Sequence, residues 1–222
     1  MLLNKLSIKH IIKKPRILNK YPAPLFLMIH GYGSNENDLF SFQKDIPENF
    51  FIISIQGCYS FGSDKYSWYD IDFSNEDRFI NIYQAKKTIE KISFFIDEAI
   101  KEYQLNQSQV WLCGFSQGAI LSYAIAFKKP EKVKKVIALS GYLEKKLLPK
   151  NMNYSSYIDL KFFISHGKYD TICPINLVKK GINFLKNKKI LSLQYKEYDS
   201  GHSLNSYNYQ DIINWIKKNK SF

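Results

Sequence analysis

Five short apolar runs recur along the chain with little polar alternation inside them: "PLFLMIH" (24–30), "FFIISIQ" (50–56), "QVWLCGF" (109–115), "KVIALSG" (135–141) and "KFFISHG" (161–167). A strand with one wet face alternates apolar and polar residues, so unbroken runs of this length read as strands covered on both faces, the pattern of a parallel sheet between helices. A sixth run, "KILSLQYKEY" (189–198), alternates more. Between the runs, Ile82, Ala85, Ile89, Ile92, Ile96, Ala99 and Tyr103 recur at threes and fours and predict a long amphipathic helix. Ile120, Leu121, Ala124 and Ile125 predict a second, stopped by Pro130; Leu177, Gly181, Phe184 and Leu185 a third; Tyr209, Ile212, Ile213 and Ile216 a fourth. Strands alternating with helices predict a doubly wound α/β structure with a mostly parallel central sheet. The opening segment, up to about residue 13, is expected to add an antiparallel edge strand. With no repeat, low-complexity tract or linker in 222 residues, one domain over 1–222 is expected.

The formal charge of +12 invites a nucleic-acid reading, but its makeup argues against one. Of the 32 basic residues only Arg16 and Arg78 are arginines, the side chain whose fork reads phosphates and guanines. The lysines form scattered pairs such as Lys13-Lys14, Lys86-Lys87 and Lys128-Lys129, which read as a solvated surface. No nucleic-acid partner is expected, and attraction to anionic substrates or membrane surfaces is at most a secondary effect. Cys58, Cys113 and Cys173 are odd in number and widely spaced, as in a reducing compartment, and match neither a disulfide framework nor a zinc site. Lysines break the apolar residues of the opening segment, which therefore lacks a signal-peptide core, and no stretch reaches the length of a membrane span. A cytoplasmic protein without stable membrane insertion is expected. No metal-ligand cluster stands out, so no metal is expected.

In a parallel sheet, ligands collect at the carboxyl ends of the strands. There, directly after the third run, the sequence reads Gly114-Phe115-Ser116-Gln117-Gly118. Glycine two positions either side of a serine, between a buried strand and a helix, suits a turn so tight that larger flanking side chains collide with it. The N-terminus of the following helix would favour negative charge developing at Ser116. A serine hydroxyl needs a base to attack an acyl group at neutral pH. Of the four histidines, His202 lies in the polar loop "YDSGHSLN" after the last strand, from which a side chain can swing over the sheet edge. His30 and His166 close strands and are lesser candidates, His30 being better suited to bracing a loop; His10 lies in the basic N-terminal segment. The base in turn needs an anionic partner to fix its tautomer. Asp170, in the loop after the "KFFIS" strand, is favoured, with Asp199 as its rival.

Two further stretches complete a candidate site. "HGYGSNEND" (30–38) carries two glycines after the first buried strand, so the backbone N–H of Tyr32 is an expected oxyanion donor, together with that of Gln117. Its glycine spacing fits neither a dinucleotide fingerprint nor a P-loop. "GSDKYSWYDID" (62–72) is an aromatic patch from which Trp68 and Tyr69 are expected to wall an acyl pocket, unless it is a surface loop packed on the core.

These stretches, "HGYGSNENDL" (30–39), "SWYDID" (67–72), "GFSQGA" (114–119), "SHGKYDTICP" (165–174) and "GH" (201–202), are where the sequence resembles the phospholipase/carboxylesterase family of α/β-hydrolases, over residues 24 to 218. The resemblance implies an α/β-hydrolase fold with helices on both faces of the sheet and no large cap domain. It implies Ser116 as nucleophile, Asp170 as acid and His202 as base, with oxyanion N–H groups at Tyr32 and Gln117. It also implies hydrolysis of a small-molecule or lipid ester without a cofactor, by a monomer or homodimer. A thioesterase acting on acylated proteins or lipids, or a lysophospholipase, is the alternative. A silent binding module would need a missing triad member, and none is missing. The chain departs from the family at Tyr32, where a small or aliphatic residue is common, so that its ring narrows the acyl channel. A second departure is Cys173 in "DTICP".

Overall fold

The structure is a computed structural model that describes residues 6–17, 21–72, 79–190 and 192–220. Residues 1–5 of the opening segment and Leu191 of the sixth run lie outside the described residues. Seven strands form the main sheet: β1 (His10–Lys13), β2 (Leu25–Ile29), β3 (Phe51–Ile55), β4 (Val110–Phe115), β5 (Val133–Leu139), β6 (Lys161–Gly167) and β7 (Leu193–Tyr198), in the spatial order β1-β3-β2-β4-β5-β6-β7. β1 pairs antiparallel with β3, and every other pairing is parallel. The helices α1 (Ile82–Glu102), α2 (Gln117–Lys128), α3 (Ile175–Asn187) and α4 (Ser206–Asn219) lie between and after the strands, as the apolar spacing predicts.

The unbroken apolar runs have the cause expected of them. All of β2 is buried, but its residues divide by the pleat. Leu25, Leu27 and Ile29 face a core shared with α1, α2 and α3, while Phe26 and Met28 face a second core shared with α4 and a short 3-10 helix at Leu39–Lys44. Helices therefore cover both faces of the sheet. Burying that much aliphatic and aromatic surface, at roughly 25 cal/mol per Å² of apolar area, is what holds the layers together.

β5 runs from Val133 to Leu139, two residues ahead of the run that predicts it, and holds Lys135 in its interior, where the ammonium sits 4.1 Å from the centre of the Trp111 ring. A cation over an indole face offsets part of the lost hydration, and burial still pushes the Lys135 amine down to about 8. Among the described residues, two short antiparallel pairings follow β3, Tyr59–Ser60 with Tyr66–Ser67 and Ile71–Asp72 with Phe79–Ile80. Among the described residues, no helix is long and apolar enough to cross a membrane.

Candidate active site

Ser116 stands where β4 turns into α2, with φ at 54° and ψ at −114°. A non-glycine residue with positive φ is strained, and the conformation is held by its surroundings. The Ser116 N–H donates to the Leu139 carbonyl at 2.8 Å, and the Ser116 carbonyl accepts the N–H groups of Ala119 and Ile120 in the first turn of the helix. The flanking glycines are required by close approach. A Cβ on Gly114 would lie 2.2 Å from the Gly118 carbonyl oxygen, and a Cβ on Gly118 would lie 1.9 Å from that of Ile29. Both obstacles are backbone, one in the first turn of α2 and the other at the end of β2, so Gly118→Ala is expected to destabilise the protein by about 3 kcal/mol or more, read from urea denaturation.

Side chains from three separate loops meet at Ser116. His202, after β7, places Nε2 3.0 Å from Ser116 Oγ, and its Nδ1 is 2.7 Å from Asp170 Oδ2. Asp170, after β6, uses its other oxygen to accept the N–H groups of Ile172 and Cys173, at 2.9 and 2.7 Å. Its side chain is fully buried, which alone would raise its carboxyl pKa. The hydrogen bond from His202, the Cys173 N–H and the charge effect of His202 outweigh burial and hold it below the usual carboxylate range. The side chain of His202 is partly exposed, and its ring is tilted against Phe115 with centroids 5.1 Å apart.

The other candidates lie elsewhere. Asp199 is exposed and pairs with Lys168 at 2.9 Å. His10 bonds Tyr103 and the Ile8 carbonyl. His30 is buried as a brace: Nδ1–H donates to the Gly31 carbonyl, and Nε2 accepts the Gly57 N–H at 2.9 Å. His166 is buried behind Asp170.

Tyr32 and Gln117 both border a cleft of about 240 Å³ that contains Ser116 and His202. Gln117 opens α2, where the first N–H groups have no carbonyl within the helix to bond. The ring of Tyr32, an exposed residue of the cleft lining, stacks on Phe61 with centroids 4.8 Å apart. Two larger grooves, of about 510 and 470 Å³, lie away from Ser116, one beside Phe127 and Tyr157, the other beside Phe51 and Tyr103.

Trp68 and Tyr69 do not wall this cleft, which corrects the expectation drawn from their loop. Both are fully buried in the core. Trp68 Nε1–H donates to the His30 carbonyl at 2.8 Å, while the Gln117 side chain accepts the Trp68 N–H and donates to the Tyr69 carbonyl. An indole and a phenol ring this large gain more from the core than from a wet cleft. The apolar lining comes instead from Ile71, Ile80, Phe115, Ile120, Tyr142 and Ile172. Tyr142 and Ile172 follow β5 and β6, so the rule that ligands gather at carboxyl ends could have found them. Ile71 and Ile80 carry no such signal, because only the pairing of two short strands brings them to the rim.

A family model described as Phospholipase/Carboxylesterase matches residues 15–220 of the chain. Acyl-protein thioesterase 1 of Saccharomyces cerevisiae is 30% identical over 165 residues, covering 70% of this chain and 69% of that one. Among solved structures, a carboxylesterase from Mesorhizobium loti superposes with a TM-score of 0.80 at 16% identity, covering 98% of each chain. The Bacillus cereus carboxylesterase superposes at 0.78 with 20% identity, covering 96% of this chain and 94% of that one. At these identities the two structures speak for the α/β-hydrolase fold.

Proposed function

Because the chain belongs to the phospholipase/carboxylesterase family of α/β-hydrolases, we propose that it is a serine hydrolase that cleaves carboxylic esters through an acyl-enzyme. The observation that carries this reading is the unbroken hydrogen-bonded series Ser116–His202–Asp170, assembled from three loops at one edge of the sheet. His202 Nε2 takes the Ser116 proton as Oγ attacks the ester carbonyl. Asp170, ionised and buried, holds His202 in the tautomer with its proton on Nδ1 and stabilises the imidazolium that forms. The N–H groups of Tyr32 and Gln117 receive the tetrahedral oxyanion, helped by the positive end of α2. His202 then protonates the leaving alcohol, and water repeats the sequence on the acyl-enzyme.

Phosphonylation by a fluorophosphonate probe, followed by peptide mapping, tests the reading directly. Stoichiometric labelling of Ser116 in the wild type and a sharp drop in His202→Ala are expected. A folded wild type that resists labelling would sink the proposal and leave a binding module on a hydrolase fold.

The cleft also bears on the acyl group. At about 240 Å³ it is smaller than the roughly 300–1,000 Å³ of a site for a drug-sized ligand, and Tyr32 belongs to its lining. The kcat/KM of p-nitrophenyl esters is expected to be highest for short acyl chains and to fall as the chain lengthens to palmitoyl. The similarity to the yeast acyl-protein thioesterase favours a second reading, a thioesterase acting on acylated proteins or lipids. A preference for palmitoyl thioesters over butyryl esters in the same assay would select it.

A further inference from the structure

Behind the Asp170 loop lies a histidine that touches none of the reacting atoms. His166, next to last in β6, is fully buried. Its Nε2 is 2.7 Å from the Cys173 carbonyl. A carbonyl only accepts, so Nε2 carries the proton. The same Nε2 lies 3.4 Å from Asp170 Oδ2, the oxygen that faces His202. The other ring nitrogen, Nδ1, is buried with no hydrogen-bond partner among the described residues. A second proton there would be a buried donor without an acceptor, so the ring is kept neutral. The groups around it act in both directions. Burial, the main effect, and His202 lower its pKa; the Cys173 carbonyl, Asp170 and Glu197, its register partner on β7, raise it; the outcome is a lowered value.

This contact closes a clamp. The Asp170 carboxylate holds the turn from one side, through the N–H groups of Ile172 and Cys173, and His166 holds the carbonyl of the same Cys173 from the other. The loop that carries His202 is tied to this turn as well, since Lys168 N–H donates to the Tyr198 carbonyl and Tyr169 N–H to that of Ser200. Residue 167 has no room for a side chain, because a Cβ there would lie 2.2 Å from the Gly201 carbonyl oxygen.

We propose that His166 is a positioning residue: a neutral Nε2–H donor to the Cys173 carbonyl that fixes the turn whose N–H groups hold the Asp170 carboxylate, and so keeps that carboxylate in register with His202. The proposal rests on the hydrolase reading above and concerns the alignment of its acid with its base. A displacement of about 1 Å in a catalytic group can lower turnover about 10²-fold, so a missing clamp is expected to be felt in kcat more than in KM.

The test compares His166→Leu, which removes the donor, with His166→Gln, whose side-chain amide can still donate to the Cys173 carbonyl and cannot gain a proton. For p-nitrophenyl butyrate, His166→Leu is expected to lose about 10²-fold in kcat with little change in KM. The acid limb of its pH–rate profile should move to lower pH, because a carboxylate out of register stabilises the imidazolium less. His166→Gln is expected to recover most of kcat and restore the limb. Melting temperatures measured in parallel separate a structural role, which would lower Tm in both variants and leave the limb in place. Unchanged kcat in His166→Leu would overturn the proposal, and so would an acid limb that moves upward or stays put. If His166→Leu does not fold, a His166→Gln enzyme without wild-type kcat and limb has the same force. A wild type inert to both fluorophosphonate and ester defeats the hydrolase reading, whereas an active wild type with indifferent variants defeats this inference alone.

Discussion

Ser116→Ala is expected to lower ester turnover by about 10⁶-fold and to abolish fluorophosphonate labelling, while the protein remains folded. The serine hydroxyl bonds His202 at 3.0 Å, and the contacts that hold the elbow belong to the backbone: Ser116 N–H to Leu139, and the Ser116 carbonyl to the first turn of α2. Alanine keeps those contacts and leaves Gly114 and Gly118 free to pack. The melting temperature should therefore move by only a few degrees, the scale of about 1 kcal/mol or less in a domain of this size. Residual catalysis over water would come from the oxyanion donors and binding alone. Activity at the wild-type level in a clean preparation would place the nucleophile elsewhere.

Asp170→Asn is expected to lose about 10⁴-fold in kcat with the fold retained. Asparagine can still accept the N–H groups of Ile172 and Cys173 through its one oxygen, so the turn survives. Its amide then offers an N–H to His202 Nδ1 where a carboxylate oxygen had been, which drives the imidazole proton onto Nε2. That nitrogen faces Ser116 and can no longer take a proton from it. Asp199→Asn is the control, since Asp199 is exposed and paired with Lys168; it should retain full activity. The pH dependence of stability supplies an independent check. The Asp170 carboxyl is held below its ordinary range in the folded protein, so its contribution is complete above the ordinary value and is lost as pH falls through the lowered one. In urea titrations between about pH 5 and pH 2, Asp170→Asn should show a shallower loss of stability than the wild type.

Most of the architecture was legible because burial on two faces leaves a mark in one dimension. "PLFLMIH" can be unbroken only where both sides of a strand are covered, and β2 divides its residues between two cores accordingly. The elbow was legible for a related reason: Gly114 and Gly118 are forced by backbone contacts of 2.2 and 1.9 Å, and glycine is the only residue without the atom that collides. Loops announce less. "SWYDID" contains two large amphipathic rings, and nothing in the string says whether they face a cleft or the core. The answer came from partners distant in sequence, the His30 carbonyl for the indole N–H and the Gln117 side chain for the backbone on either side of the Trp68–Tyr69 bond.

By itself the sequence determined the layering of the fold, the strained serine and the small set of histidines and aspartates from which a site could be drawn, because each depends on local pattern. Only the tertiary structure decided among them. Asp170 and Asp199 are both close to His202 along the chain or across the sheet, yet one carboxylate is buried against the imidazole at 2.7 Å and the other pairs with a surface lysine. His166 and His202 are likewise separated by their surroundings, one ring fully buried and held to a carbonyl, the other partly exposed beside Ser116. Such choices depend on distances between loops that meet only when parallel strands align their carboxyl ends, and no local pattern in the chain encodes those distances.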